Sequence, residues 1–395
     1  MADPTPNRPA AHGRQKRRGM ADKTVVIAPD SFKGSLAAID VARAIAEGLT
    51  AHDNPPRTLI APMADGGEGL LDAVAATCDG HWQTTTLVGI HGRSLDAPWY
   101  AMTDGPVVLE SATVLGLPLI EAMDDAPPLA ERSSYALGML IADALDSGAT
   151  DLAIGLGGSA CNDAGLGMLA ALGATPYNAA GEVIAPSMHG LLALARLDLS
   201  GLDARLADVR IRVLCDVDNP LLGENGASRV YGPQKGLTDD DIVEVEAAFE
   251  HLAETTGARD RTTWPGSGAA GGLGFALARI GGRLESGAEA VLKMTGLAGH
   301  MRQARCVITG EGRSDRQTLS GKLPLAVARA ARPTPTLLVC GDIADDARRE
   351  LETHFTGTYT LVERAGSIEA AMATPARWLF EIGADLADVI AELPA

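Results

Sequence analysis

Five stretches of this 395-residue chain share one design, in which an apolar run ends in glycine together with Asp, Glu, Lys or Arg: 30–35, 65–69, 155–163, 216–236 and 310–322. Glycine lets the backbone turn sharply and present N–H donors. Lys and Arg supply positive charge, and carboxylates can hold a divalent cation or accept a proton. If such loops converge, they carry the equipment of phosphoryl transfer, a reaction catalysed mostly by positioning and charge stabilisation. The lysines sharpen this reading. Of 33 basic residues only six are Lys, and three of those, Lys33, Lys235 and Lys322, stand beside a glycine.

Each stretch needs an element to deliver it. The stretch DLAIGLGGSACNDAGLGMLAALG (151–173) reads as strand, Gly-rich loop and helix, with the helix expected to open near Asn162 and Asp163, so that its positive end adds to the loop's N–H groups. TVVIAPD (24–30) reads as a strand that delivers Asp30, Ser31 and Lys33 to its carboxyl end. RTLIAPMADGGEGLLDAVAA (57–76) repeats the design with Asp65, Gly66, Gly67 and Glu68. At 207–218 another strand is expected to place Asp216 and Asp218 two residues apart on extended chain, hence on one face, a pair suited to Mg²⁺. ARCVITGEGRSDRQTLSGKLPLAVARAA (304–331) gives a strand, a loop with Glu311, Arg313, Asp315 and Lys322, then a helix. Short β-rich runs between 81 and 120 mark a compositional shift toward a second domain. Strands alternating with helices predict the α/β class, and ligands are expected at the carboxyl ends of the strands.

Composition excludes several functions. A formal charge of −18 disfavours nucleic acid, and no apolar run reaches the ~18 residues that span a bilayer, so a soluble protein is expected. Five scattered cysteines without a CxxC pair argue for reduced thiols in a cytoplasm. Residues 1–22 are Pro-, Arg- and polar-rich and are expected to be a disordered extension. No Walker A motif, protein-kinase motif set or GxSxG elbow is present, and no histidine falls in the five loops. GSGAAGGLG (266–274) contains GxGxxG but follows RTTWP, a poor strand, so it is discounted as a dinucleotide fingerprint. Two rival readings stay open: a nicotinamide-dependent hydroxy-acid oxidoreductase using GLGGSA, and a non-catalytic sugar-acid-binding protein.

The motifs APDSFKGSL, PMADGGEG, IGLGGSACNDAGLGML, CDVDNPLLGENGAS, GPQKG, GAAGGLG and TGEGRSDRQTLSGK occur in an order that closely resembles the bacterial glycerate kinase family of the 2-phosphoglycerate-forming type. The resemblance covers about residues 24–345. It implies transfer of the γ-phosphoryl group of MgATP to a hydroxyl of D-glycerate. It also implies two α/β domains with largely parallel sheets, one inserted into the other and the active site in the cleft between them: 23–62 with 285–395, and 63–284. On this reading Asp30, Ser31, Lys33, Asp65, Gly66, Gly67 and Glu68 bind the acid, with Arg313 beside Lys33 on its carboxylate. Gly157, Gly158, Ser159, Ala160, Asn162, Asp163, Lys235 and Lys322 bind ATP. Asp216 and Asp218 hold Mg²⁺, or one of them is the catalytic base, for which Asp315 is the other candidate. The family's usual GGSATND is here Gly157–Asp163 with Cys161 in place of a hydroxyl. The sequence leaves a homo-oligomer open.

Overall fold

The computed structural model describes residues 24–319 and 321–393, so the expected extension at 1–22 lies outside the described residues. Its strands in chain order are β1 (Val25–Ile27), β2 (Thr58–Ile60), β3 (Gly80–Val88), β4 (Ser94–Met102), β5 (Val107–Glu110), β6 (Asp151–Gly155), β7 (Thr175–Tyr177), β8 (Arg196–Asp198), β9 (Arg210–Leu214), β10 (Arg283–Glu285), β11 (Cys306–Thr309), β12 (Arg313–Ser314), β13 (Thr336–Cys340), β14 (Asp342–Ile343) and β15 (Gly357–Thr360). They fall into two compact units. One gathers the described residues up to Met63 with those from Gly296 onward; the other is Ala64–Thr295.

The first unit is built on a five-stranded, wholly parallel sheet in the order β15-β13-β11-β1-β2. Parallel strands are covered on both faces, and the strand sequences are accordingly continuous apolar runs, VVI, CVIT and TLLVC. On one face the helix Ala38–Thr50 places Val41, Ile45 and Leu49 one turn apart, against Leu379, Ile382 and Leu386 of the helix Pro375–Glu392. On the other face Leu338, Cys340, Ala347, Leu351 and Phe355 form a smaller core. The short pair β12–β14 extends the carboxyl edge, a feature the sequence pattern did not announce because each strand has only two residues.

The second unit holds a six-stranded mixed sheet in the order β10-β9-β6-β5-β4-β3, parallel from β10 to β5 and antiparallel through the β3-β4-β5 meander. The β-rich composition at 81–120 is this meander. Leu152, Ile154, Ile211, Val213, Leu137, Leu140, Phe249 and Phe275 lie in its core. Fold class is therefore the expected one, α/β with largely parallel sheets.

Candidate active site

In the first unit the carboxyl ends of β1, β11 and β13 meet. The Asp30 N–H donates to Gly310 O (2.8 Å), the Gly341 N–H to Glu311 O (3.1 Å) and the Asp342 N–H to Gly312 O (3.2 Å). This ladder brings Asp30, Ser31 and Lys33 beside Gly312 and Arg313. Asp30 is buried and its Oδ1 accepts the Ser31 N–H, whereas Lys33 and Arg313 are exposed. Arg313 Nε lies 4.0 Å from Asp342 Oδ2. Asp315 accepts the Gln317 N–H at 2.8 Å, and Lys322 donates to Gln317 Oε1 at 2.6 Å. Glu311 is buried and accepts the Ser314 and Thr318 hydroxyls. Burial raises its pKa against those hydrogen bonds.

In the second unit the carboxyl ends of β5, β6, β9 and β10 form one edge, and the loop 65–69 lies on it. Asp65 Oδ1 accepts the Gly67 N–H (2.9 Å), closing an Asx turn. The backbones approach so closely that a Cβ on Gly157 would sit 2.5 Å from Gly67 Cα, and one on Gly287 would overlap the Asp65 carbonyl. Asp216 is thereby set beside Asp65. Its Oδ1 accepts the Gly287 N–H (3.0 Å) and faces Ser286 Oγ (3.4 Å), while its Oδ2 is buried with no hydrogen-bond partner among the described residues. Burial first and the Asp65 charge second push the Asp216 carboxyl up to about 7.

Several expectations are corrected here. β9 ends at Leu214, so Asp216 and Asp218 are not on extended strand and strand alternation does not align them; Asp218 is exposed and Asp216 half-buried. The helix after the glycine loop is Leu166–Ala171 and opens behind Gly165, not near Asn162. Asp163 is fully buried and accepts the Ser134 N–H and hydroxyl and the N–H groups of Gly165 and Gly167. Four hydrogen bonds inside the unit engage it, so in this fold it holds the loop in shape. Asn162 is equally buried, donating to Ser228 Oγ. The Ala160 N–H is consumed by Leu115 O (2.7 Å), which removes it from the expected phosphate donors; Gly157, Gly158 and Ser159 donate no N–H hydrogen bond among the described residues. Lys235 is buried and donates to Cys161 O (2.7 Å) and Ser159 Oγ (3.3 Å). Desolvation lowers its pKa. The Cys161 thiol lies in the core, where burial pushes it up to about 12.

Glu110 escaped sequence reasoning, although an acid closing the apolar run VVLE was a signal. It is 6% exposed, and its two oxygens accept the Gly69 and Leu71 N–H groups at 3.2 Å, pinning the loop that carries Asp65. Burial outweighs these bonds and raises its pKa from 4.5 to about 7. Its neutral form is thus favoured in the fold. Its stability contribution is complete below about pH 4.5, where it is protonated in both states, and is lost as pH rises through 7, by roughly 3 kcal/mol at most. Urea unfolding at pH 5 and pH 8 should show this loss in the native protein, and Glu110→Gln should remove Glu110's share of it while the share of Asp216, also raised to about 7, remains.

The sequence model described as the glycerate kinase family matches residues 25–391. The chain belongs to this family. It is similar to the glycerate 2-kinase of Escherichia coli strain K12, at 41% identity over 354 residues, 88% of this chain and 92% of the relative. A glycerate kinase of Halalkalibacterium halodurans is 39% identical over 356 residues, 88% of this chain and 93% of that one. A crystal structure of a provisionally assigned glycerate kinase 2 from Salmonella typhimurium LT2 superposes with a TM-score of 0.78 at 35% identity, covering 93% of this chain and 98% of that one. As a member of the glycerate kinase family the chain is an enzyme, a phosphotransferase. The glycine loop after β6 is therefore not a dinucleotide fingerprint, and 266–274 is not one either: a 3₁₀ turn, Arg259–Thr263, precedes it where a strand would be required. Among the described residues no helix is long and apolar enough to cross a membrane.

Proposed function

We propose that this enzyme transfers the γ-phosphoryl group of ATP to the 2-hydroxyl of D-glycerate, giving 2-phosphoglycerate and ADP. The observation that carries the reading is the second unit's edge, where Asp65 and Asp216 face each other beside the N–H groups of Gly157 and Gly158. Two adjacent carboxylates, one with a buried oxygen lacking any partner, fit a divalent cation better than they fit each other. Mg²⁺ is an ion that takes one or two carboxylates and keeps waters. Asp216, with Asp65 beside it and Asp218 two residues on, would hold Mg²⁺. When bound, the ion supplies positive charge that offsets that of the phosphates.

The chain's own residues do the rest. Gly157 and Gly158 donate N–H groups to phosphate oxygens. Lys33 and Arg313, exposed at the first unit's carboxyl edge, hold the acid's carboxylate, and Asp315, two residues from Arg313, accepts the hydroxyl proton as the oxygen bonds to phosphorus and the bond to ADP breaks. A charged hydrogen bond is worth about 1.5–3 kcal/mol, so Arg313→Met should raise KM for D-glycerate by roughly 10- to 100-fold and leave KM for ATP within about twofold. Steady-state kinetics against each substrate separates the two. The test of the whole reading is D-glycerate-dependent ADP release in a coupled assay. Release without the acid, or none with it, contradicts the reading.

A further inference from the structure

Beside the carboxylate pair, the second unit contains a hollow of about 120 Å³. Its walls are mostly apolar, with Leu117, Leu156, Val217 and Ala269 joined by the Tyr231 ring. Tyr231 is fixed in place by its hydroxyl, which donates to Asn219 Oδ1 at 2.7 Å. One wall is backbone from the broken start of the helix Ala269–Arg279, where Ala270, Gly271 and Gly272 have φ of 52°, 68° and 92°. A left-handed non-glycine residue is strained and persists where the surroundings impose it, as they do at binding sites. Gly271 is irreplaceable there, because a Cβ would overlap the Cys161 carbonyl.

Polar groups lie in two parts of the lining: Gly157, Gly158 and Ser159 on the side toward the carboxylates, and Gln234 and Lys235 on the helix Ala227–Lys235. Gln234 lines the hollow, is exposed and makes no side-chain hydrogen bond among the described residues, so its amide is available to a partner. Lys235 spends two of its three N–H groups on Ser159 Oγ and Cys161 O and forms no ion pair among the described residues. Away from the Gly157–Ser159 backbone, a triphosphate would bring several negative charges to one ammonium among the apolar side chains Leu117, Val217 and Ala269. A flat heteroaromatic ring would instead pack against Leu117, Leu156, Val217 and Tyr231, with ring nitrogens accepting from Lys235 and Gln234. Position supports the same choice. Gly157–Ser159 form part of the wall, and Gly157 backs directly on Gly67; Val217 is the neighbour of Asp216. Gly157 and Val217 thus join the hollow to the loops that carry Asp65 and Asp216.

We propose that this hollow receives the purine base of the nucleotide donor, that Gln234 reads the edge of that base, and that the phosphates run along Gly157 and Gly158 toward Asp65 and Asp216. This rests on the ATP-dependent reading above and moves Lys235 from the expected phosphate contact to the base end of the nucleotide.

Photolabelling of the full chain with 8-azido-ATP, competed by ATP and mapped by mass spectrometry, should place the label within 227–235 or 266–279. Gln234→Ala, a change at an exposed position, should raise KM for ATP about tenfold and narrow the preference for ATP over GTP by a similar factor, with KM for D-glycerate unchanged. An ATP-protected label in the first unit, or a Gln234→Ala enzyme with unaltered KM for ATP and unaltered ATP-to-GTP preference, overturns the base site while D-glycerate-dependent ADP release keeps the functional reading intact. A label in the hollow without any such release would support the base site and overturn the functional reading. Protection of the hollow by D-glycerate in place of ATP would show that the acid, not the base, occupies it.

Discussion

Asp216→Asn should lower kcat by about a thousandfold without lowering the unfolding midpoint. Asn keeps an oxygen for the Gly287 N–H, so the link between the β9 and β10 ends survives. What disappears is the negative charge on the partnerless buried oxygen beside Asp65. Removing one preorganised electrostatic contact at a reacting centre typically costs 10²–10³ in rate, about 3–4 kcal/mol, and losing a metal-binding carboxylate belongs at the upper end of that range. The ligand-free fold should not suffer, because burial and Asp65 make the ionised Asp216 costly; a neutral amide relieves both. Calorimetry separates the two effects. Added Mg²⁺ should raise the midpoint of the native enzyme and leave that of the variant unmoved. A variant with near-native kcat would remove Asp216 from the centre of the chemistry.

Gly287→Ala should be among the most damaging single methyl groups in the second unit. The added Cβ has no flexible side chain to push aside; it meets the carbonyl and carbon of Asp65 and the Gly66 nitrogen, all backbone. Overpacking of this kind costs roughly 1–3 kcal/mol, and a shift of about 1 Å in the loop 65–69 is enough to cost on the order of 10² in kcat/KM. Thermal unfolding and steady-state kinetics on the same preparation measure both. The control is Gly299→Ala, whose Cβ meets nothing within 4 Å and should leave both unchanged.

Much of this arrangement was legible in the sequence, for a physical reason. Buried parallel strands read as short apolar runs, and the chain leaves the strands of one parallel sheet at the same edge, so the glycines and charges after TVVI and CVIT collect at the first unit's sheet edge and those after DLAIG and RIRVL at the second unit's. The poor strand character of RTTWP likewise identified 266–274 as no dinucleotide turn. Contacts between loops were not legible. Glu110 pins Gly69 and Leu71 from some forty residues away, and Ser286 and Gly287 reach Asp216 across seventy, with no local pattern to announce either. Asp163 misled because an acid after a glycine loop looks the same in sequence whether it faces a ligand or turns inward to hold Ser134, Gly165 and Gly167. Ala160 misled for a related reason: its N–H is claimed by Leu115, forty-five residues earlier. The spacing of Asp216 and Asp218 suggested a common face only on the premise of continued strand, and β9 stops before either.

The central claim is that ATP phosphorylates the 2-hydroxyl of D-glycerate, and the product tests it most directly. Incubation with ATP, Mg²⁺ and D-glycerate, followed by ¹H and ³¹P NMR of the reaction mixture, should show phosphorus coupled to the single proton on C2, the signature of 2-phosphoglycerate, together with one equivalent of ADP. Phosphorus coupled to the C3 methylene protons, or ADP appearing without any phosphorylated acid, would contradict the account.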